Sequence, residues 1–140
     1  MEPKGPLNRY WADTSLLLRL LTGEPPHLAE KALSVFAGAE GGAYRLLVHP
    51  LVVAEAFYTL VSFYRVPKAE AAQALWALLD REGVEVVEGE ACRLALEETG
   101  RGPLSFVDAF LLNRAGLEGL ATLDRALARR AQGVLPQDPS

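Results

Sequence analysis

Short apolar runs alternate with longer stretches of helical periodicity along most of this chain. Four runs bounded by glycine, proline or polar residues predict buried strands, at residues 9–12, 45–48, 84–87 and 120–123, with a further short strand at 134–135. Between them, apolar residues recur three and four positions apart, which indicates helices with one buried face. These helices are expected to follow residue 13 and to cover 27–39, 51–64, 67–81, 90–99, 106–115 and 125–130.

The order of these elements, βα-αβ-αα-β-αα-β-α with a possible last strand, predicts the fold class. Strands that are separated by helices pair in parallel, because each connection crosses back over a face of the sheet. We therefore expect an α/β sandwich of three layers, in which a mostly parallel sheet of four or five strands is flanked by helices.

Length and composition fit one globular domain over residues 1–140. Half of the 140 residues are apolar and 23% are charged, without low-complexity tracts. The ordered core is expected at about 8–136, with frayed ends at 1–6 and 137–140. A single cysteine, Cys92, excludes an internal disulfide and predicts a buried, inert thiol, which suits a reducing cytoplasm.

No secretory or membrane segment is predicted. Asp13 interrupts the apolar centre that a signal peptide needs, and the longest apolar stretch, 46–64, is broken by His49, Pro50 and Glu55. A formal net charge of −4 argues against nucleic-acid binding by bulk charge, although a local basic strip remains possible. A cytoplasmic protein without membrane contact is the expectation.

Two aspartates lie where a predicted strand gives way to a helix. Asp13 follows the first strand and Asp124 follows the fourth. Ligands of open α/β sheets bind beyond the carboxyl ends of the strands, so both carboxylates are candidates for a site there. The alternative is that each merely caps its helix by accepting a backbone hydrogen bond.

Two further acids lie on otherwise apolar helices. Glu55 shares a stripe with Thr59 and Ser62, and a carboxylate in such surroundings requires a partner unless it points to water. Asp108 is followed at helical spacing by Leu111, Leu112 and Ala115, which predicts that it lies on the inward face while Asn113 lies across the helix. The alternative for Asp108 is a capping box that begins at Ser105.

Four carboxylates at one place would form a site for a hard cation. Mg²⁺ and Mn²⁺ prefer oxygen ligands, whereas zinc sites are usually built from cysteine and histidine. The chain contains one cysteine and two histidines, which disfavours zinc.

The motifs around these acids resemble those of the PIN-domain ribonucleases. They are Asp13-Thr14-Ser15 after the first strand, Glu55 within Val-Val-Ala-Glu-Ala, Asp108 within Ser-Phe-Val-Asp-Ala-Phe-Leu-Leu, and Asp124 within Thr122-Leu-Asp. The resemblance runs from about Arg9 to Arg130 and is strongest to the small VapC-type toxins of toxin–antitoxin pairs. In one departure, Leu127 stands where an aromatic residue is usual, which weakens the assignment to a subgroup.

The resemblance implies a metal-dependent endoribonuclease in which Asp13, Glu55, Asp108 and Asp124 bind Mg²⁺ or Mn²⁺. Thr14 and Thr122 would support these ligands. Arg125, Arg129 and Arg130 would attract RNA, unless they only form a solvated helix face. A homodimer and a cognate antitoxin are the implied protein partners.

Two alternatives belong to other functional classes. A PIN-like module could bind RNA or protein without cutting, although a scaffold does not need four acids. A phosphatase of the haloacid-dehalogenase type would need a second aspartate two residues after the first, where this chain has Ser15.

Overall fold

The computed structural model describes residues 8–116 and 118–137 and contains the predicted alternation of strands and helices. Its elements are β1 (Arg9–Trp11), α1 (Thr14–Thr22), α2 (Pro26–Glu40), β2 (Arg45–Val48), α3 (Pro50–Ser62), α4 (Lys68–Leu79), β3 (Val84–Val86), α5 (Gly89–Arg101), α6 (Phe106–Ala115), β4 (Leu120–Ala121), α7 (Arg125–Ala128) and β5 (Val134–Leu135). The α/β class is therefore confirmed. The predicted frayed ends lie outside the described residues, except for Gln137.

The strands form two parallel sheets, so the prediction of one sheet with four or five strands is wrong. Strands β1, β2 and β3 pair in that order, with Tyr10 opposite Leu46 and Leu46 opposite Val84. Strands β4 and β5 pair with each other instead. At that pairing, a side chain at Gly119 would lie only 2.6 Å from the Gly133 carbonyl oxygen, so glycine permits an approach that joins these short strands locally.

Several helices begin at the residues that the sequence marks as starts. The side chains of Asp13, His49, Ser105 and Asp124 each accept a hydrogen bond from a backbone N–H in the first turn of the following helix. Helices α2 and α3 also have proline in their first turn, where its missing N–H costs nothing. The capping residues thus fix where each polar side chain leaves the sheet.

The hydrophobic core lies between the three-stranded sheet and helices α1 to α6. Leu17, Phe36, Leu46, Leu75 and Leu96 are at most 2% exposed. Each such side chain stabilises the fold by roughly 1.5–3 kcal/mol relative to full exposure. This packed core is the rigid base from which the strand ends project.

Gly83 sets the spacing between α2 and the start of β3. Its φ of +85° lies in the left-handed region, and a Cβ there would lie 2.4 Å from the backbone oxygen of Ala39. Both features require glycine. The turn therefore brings β3 beside β2 in the register that the sheet shows.

An ion-pair cluster crosses the surface of the three-stranded sheet. Glu85 contacts Arg9 at 2.8 Å and Arg45 at 2.9 Å. The hydrogen bond from Arg9, helped by the charges of both arginines, lowers the pKa of the Glu85 carboxyl. The pairs are exposed to solvent, so we assign them little weight in stability.

Cys92 is fully buried, as the sequence predicts, and burial raises the pKa of its thiol to about 11. We therefore expect native protein to react with a thiol reagent such as DTNB at pH 8 at least about tenfold more slowly than denatured protein, because the thiolate is the reactive form. The absorbance time course with and without guanidinium checks this. Equal rates in both states would show that the thiol is accessible.

Across residues 8–116 and 118–137, no helix combines the length and the apolarity that a membrane crossing requires.

Candidate functional site

Asp13 follows β1 and caps α1, which confirms the capping interpretation for this residue. Its Oδ1 accepts hydrogen bonds from the Leu16 backbone N–H at 3.0 Å and from the Ser15 hydroxyl at 2.9 Å. The second carboxylate oxygen has no hydrogen bond from any residue that the structure describes, and the side chain is exposed. Capping therefore uses one oxygen and leaves the other open to a ligand.

Glu55 faces the start of α1, and this confirms that its carboxylate has a partner. The Thr14 hydroxyl donates a short hydrogen bond to Glu55 Oε1 across 41 positions of sequence. Helix α3 packs along α1, so Glu55 lies beside the residue that follows Asp13. The Glu55 side chain is nevertheless exposed to solvent.

Asp108 lies in the first turn of α6. Ser105 Oγ accepts a hydrogen bond from the Asp108 backbone N–H at 3.1 Å. The reciprocal bond of a capping box is absent among the described residues, so the Asp108 carboxylate is not used for capping. Because the Phe106 ring packs at a tilt against Phe57 of α3, with ring centroids 6.4 Å apart, the first turn of α6 is held beside the helix that carries Glu55.

The prediction of which face of α6 points inward is wrong. Leu111 is 44% exposed, whereas the buried residues are Phe106 and Ala109. Asn113, which we predicted to lie across the helix, is half-buried and donates to Glu98. The helix is apolar on more than one side, so the spacing of its apolar residues did not identify which side is buried. Asp108 is half-buried.

Asp124 follows β4 and caps α7. Its Oδ1 accepts from the Leu127 backbone N–H at 3.0 Å, and the Thr122 hydroxyl accepts from the Asp124 backbone N–H at 3.0 Å. Thr122 therefore fixes the turn that presents Asp124. The side chain is exposed and belongs to the separate β4–β5 unit.

The structure brings some of the predicted acids together and leaves others apart. Thr14 joins Asp13 to Glu55, while Asp108 and Asp124 make no hydrogen bond to that pair in the described part of the chain. Within residues 8–116 and 118–137, no three acids, histidines or cysteines are grouped closely enough to hold a metal ion. Carboxylates without a cation repel each other, so ligation by three or more requires their side chains to turn inward.

The predicted RNA-binding arginines differ in their surroundings. Arg125 and Arg129 are exposed and have no side-chain ion pair with the described residues. Arg130 forms an ion pair with Glu98 of α5. Two of the three guanidinium groups are thus available to a phosphate without breaking a protein contact.

An apolar groove next to the acids was not predicted. It has a volume of about 390 Å³ and lies at the carboxyl ends of β2 and β3, between α3 and α6. Leu51 is 75% exposed and Val107 is 53% exposed along it. The sequence carried a signal, because helix 51–64 is apolar nearly all round and one buried face cannot cover all of it.

The alternating strands and helices define an α/β protein in which Asp13 and Asp124 each cap the helix that follows a strand. The chain belongs to the PIN domain family, whose family model matches residues 10–133. Neither the curated proteins nor the solved structures contain a significant match. PIN domains are generally nucleases that use divalent metals and bind RNA.

Proposed function

We propose that this protein is a metal-dependent endoribonuclease that hydrolyses RNA phosphodiester bonds. The hydrogen bond from Thr14 to Glu55 carries the proposal, because it links Glu55 of α3 to the residue that follows Asp13 in a PIN domain. Asp13 and Asp108 support it, since each keeps a carboxylate oxygen without a partner among the described residues. Such all-oxygen donors fit Mg²⁺ or Mn²⁺ rather than zinc.

In this proposal, Asp13, Glu55, Asp108 and Asp124 hold the cation. Mg²⁺ or Mn²⁺ supplies activation of water and neutralises charge on the attacked phosphate. Thr14 holds the Glu55 carboxylate against the start of α1, and Thr122 holds the turn at Asp124. Arg125 and Arg129 attract the RNA backbone, which offsets repulsion by an acidic protein with a net charge of −4.

The parent protein is expected to cleave single-stranded or loop RNA with Mg²⁺ or Mn²⁺, where phosphates and bases are accessible. Excess EDTA should stop cleavage, and restored Mn²⁺ should recover it. Labelled RNA panels resolved on denaturing gels provide the measurement. If no RNA is cut with either metal at high protein concentration, the nuclease proposal fails.

The second candidate function is a module that binds RNA or protein without cutting. The absence of a ready group of three metal ligands in the described residues favours it. Electrophoretic mobility shifts separate the two functions. Tight binding that is unaffected by EDTA, without cleavage, would support the module.

We also assign to this chain the role of a cytoplasmic toxin in a toxin–antitoxin pair, with a homodimer as its resting form. The PIN-domain match supports this role, as does the exposed apolar groove at Leu51 and Val107, because such patches mark protein contacts. Induced expression should arrest growth, and coexpression of a small neighbouring gene should relieve the arrest.

Light scattering after gel filtration should give the dimer mass, and a monomer would contradict the homodimer.

A further inference from the structure

Glu98 is an acid outside the predicted quartet, and its side chain is only 20% exposed. Arg130 forms an ion pair with Glu98 Oε2, and Asn113 Nδ2 donates to Glu98 Oε1 at 3.3 Å. The same Asn113 amide donates to the Ala109 carbonyl at 2.8 Å, which fixes its orientation. One carboxylate thereby joins α5, α6 and the segment after α7. A charge with so little exposure is costly unless it is paired, so the contact is strongly preferred over separation.

The Glu98–Arg130 pair holds a segment that has few other attachments. This ion pair links residues 119–137 to residues 8–116, whereas the backbone hydrogen bonds of Leu120 and Thr122 join residues within the segment. The buried residues of this segment are Leu127 and Ala128, and its strands have two residues each. A unit with so few buried contacts opens at low free-energy cost when its anchor is lost.

This anchor leads directly to Asp124. The Arg130 backbone N–H donates to the Leu127 carbonyl at 3.1 Å, and the Leu127 backbone N–H donates to Asp124 Oδ1 at 3.0 Å. Asp124 and Arg130 are thus joined by hydrogen bonds through α7 and the turn that follows it. On the other side, Asn113 lies on α6, the helix that carries Asp108.

We propose that Glu98 is a positioning residue that holds Asp124 in place relative to Asp108 through Arg130 and Asn113. The role of Arg130 is then to anchor α7, which replaces the predicted RNA contact for this arginine. The inference rests on the proposed function for its catalytic consequence. How strongly residues 119–137 are attached to the rest of the protein can be measured without RNA or metal.

Hydrogen exchange measured by mass spectrometry tests the holding directly. In Glu98→Gln, which preserves shape but removes the charge, amides in 119–137 should exchange roughly tenfold faster, because the ion pair with Arg130 is lost. Amides in 45–62 should be unchanged. Glu90→Gln is the matched control, since Glu90 is an exposed acid of the same helix with no side-chain partner among the described residues. Unchanged exchange of 119–137 in Glu98→Gln would overturn the proposal.

Cleavage kinetics distinguish positioning from RNA contact. Glu98→Gln and Arg130→Gln should both raise the Mn²⁺ concentration for half-maximal rate by about tenfold and leave the KM for RNA unchanged, as expected when the support of a metal ligand is removed. A double variant that carries both Glu98→Arg and Arg130→Glu exchanges the two charges and should recover part of the lost Mn²⁺ affinity. If Arg130→Gln alone raises KM and weakens the salt dependence, Arg130 is an RNA contact and the proposal is wrong.

These measurements separate failure of the inference from failure of the proposed function. A parent protein that cleaves no RNA overturns the nuclease, while hydrogen exchange still decides whether Glu98 holds residues 119–137. If Glu98→Gln does not fold, Arg130→Gln decides, because its side chain is 52% exposed and its loss leaves the core intact.

Discussion

Asp108→Asn is expected to lower kcat/KM for RNA cleavage by roughly a hundredfold or more, because a metal ligand supplies several kcal/mol of transition-state stabilisation. The fold should be unaffected. The carboxylate caps nothing, since the Ser105 hydroxyl bonds the backbone N–H of Asp108, and asparagine has the same shape. Cleavage rates and thermal melts of the purified variant provide the measurement.

Asp80→Asn is the matched control for this change. Asp80 is an exposed residue after α4, and its side chain has no hydrogen bond or ion pair with the described residues. The variant should cleave at the parent rate. Parent-like cleavage by Asp108→Asn would remove Asp108 from the site, and an equal loss in both variants would show that the assay reports net charge.

Added Mg²⁺ is expected to stabilise the parent by about 2.7 kcal/mol at one hundred times its dissociation constant. Asp13→Asn should gain less, because one ligand charge is missing. Without metal, Asp13→Asn should be as stable as the parent or more so, since asparagine caps as well as aspartate and the repulsion from Glu55 is removed. Thermal melts with and without Mg²⁺ measure both effects.

Asp13→Ala separates capping from metal binding at the same position. It removes the acceptor for Leu16 and Ser15 and should cost about 1 kcal/mol in the absence of metal. If Asp13→Asn is destabilised as much as Asp13→Ala, and Mg²⁺ stabilises both variants like the parent, Asp13 acts as a structural cap alone.

Local signals in the sequence were sufficient to predict the element order. The cap residues Asp13 and Ser105 and the first-turn Pro50 mark helix starts through hydrogen bonds within a few residues. The division into two sheets was not predictable in this way. The pairing of β4 with β5 brings Gly119 close to Gly133, and neither glycine carries a periodic signal that predicts this approach.

The sequence left open whether Glu55 has a partner or points to water, and the structure shows both, because the side chain is exposed and also accepts a hydrogen bond from Thr14. The prediction of the inward face of α6 was wrong because several sides of that helix are apolar, and contacts with other helices decide which side is buried. The ion pair of Glu98 with Arg130 could not be predicted from the sequence either, because each residue alone looks like part of a solvated helix face.

We propose that Asp13, Glu55, Asp108 and Asp124 together form one binding site for Mg²⁺ or Mn²⁺. A crystal of the parent protein soaked in Mn²⁺, measured for anomalous scattering, tests it most directly. We predict a peak roughly 2 Å from carboxylate oxygens of Asp13, Glu55 and Asp108. A peak elsewhere on the protein, or none at these three residues at saturating Mn²⁺, would contradict the claim.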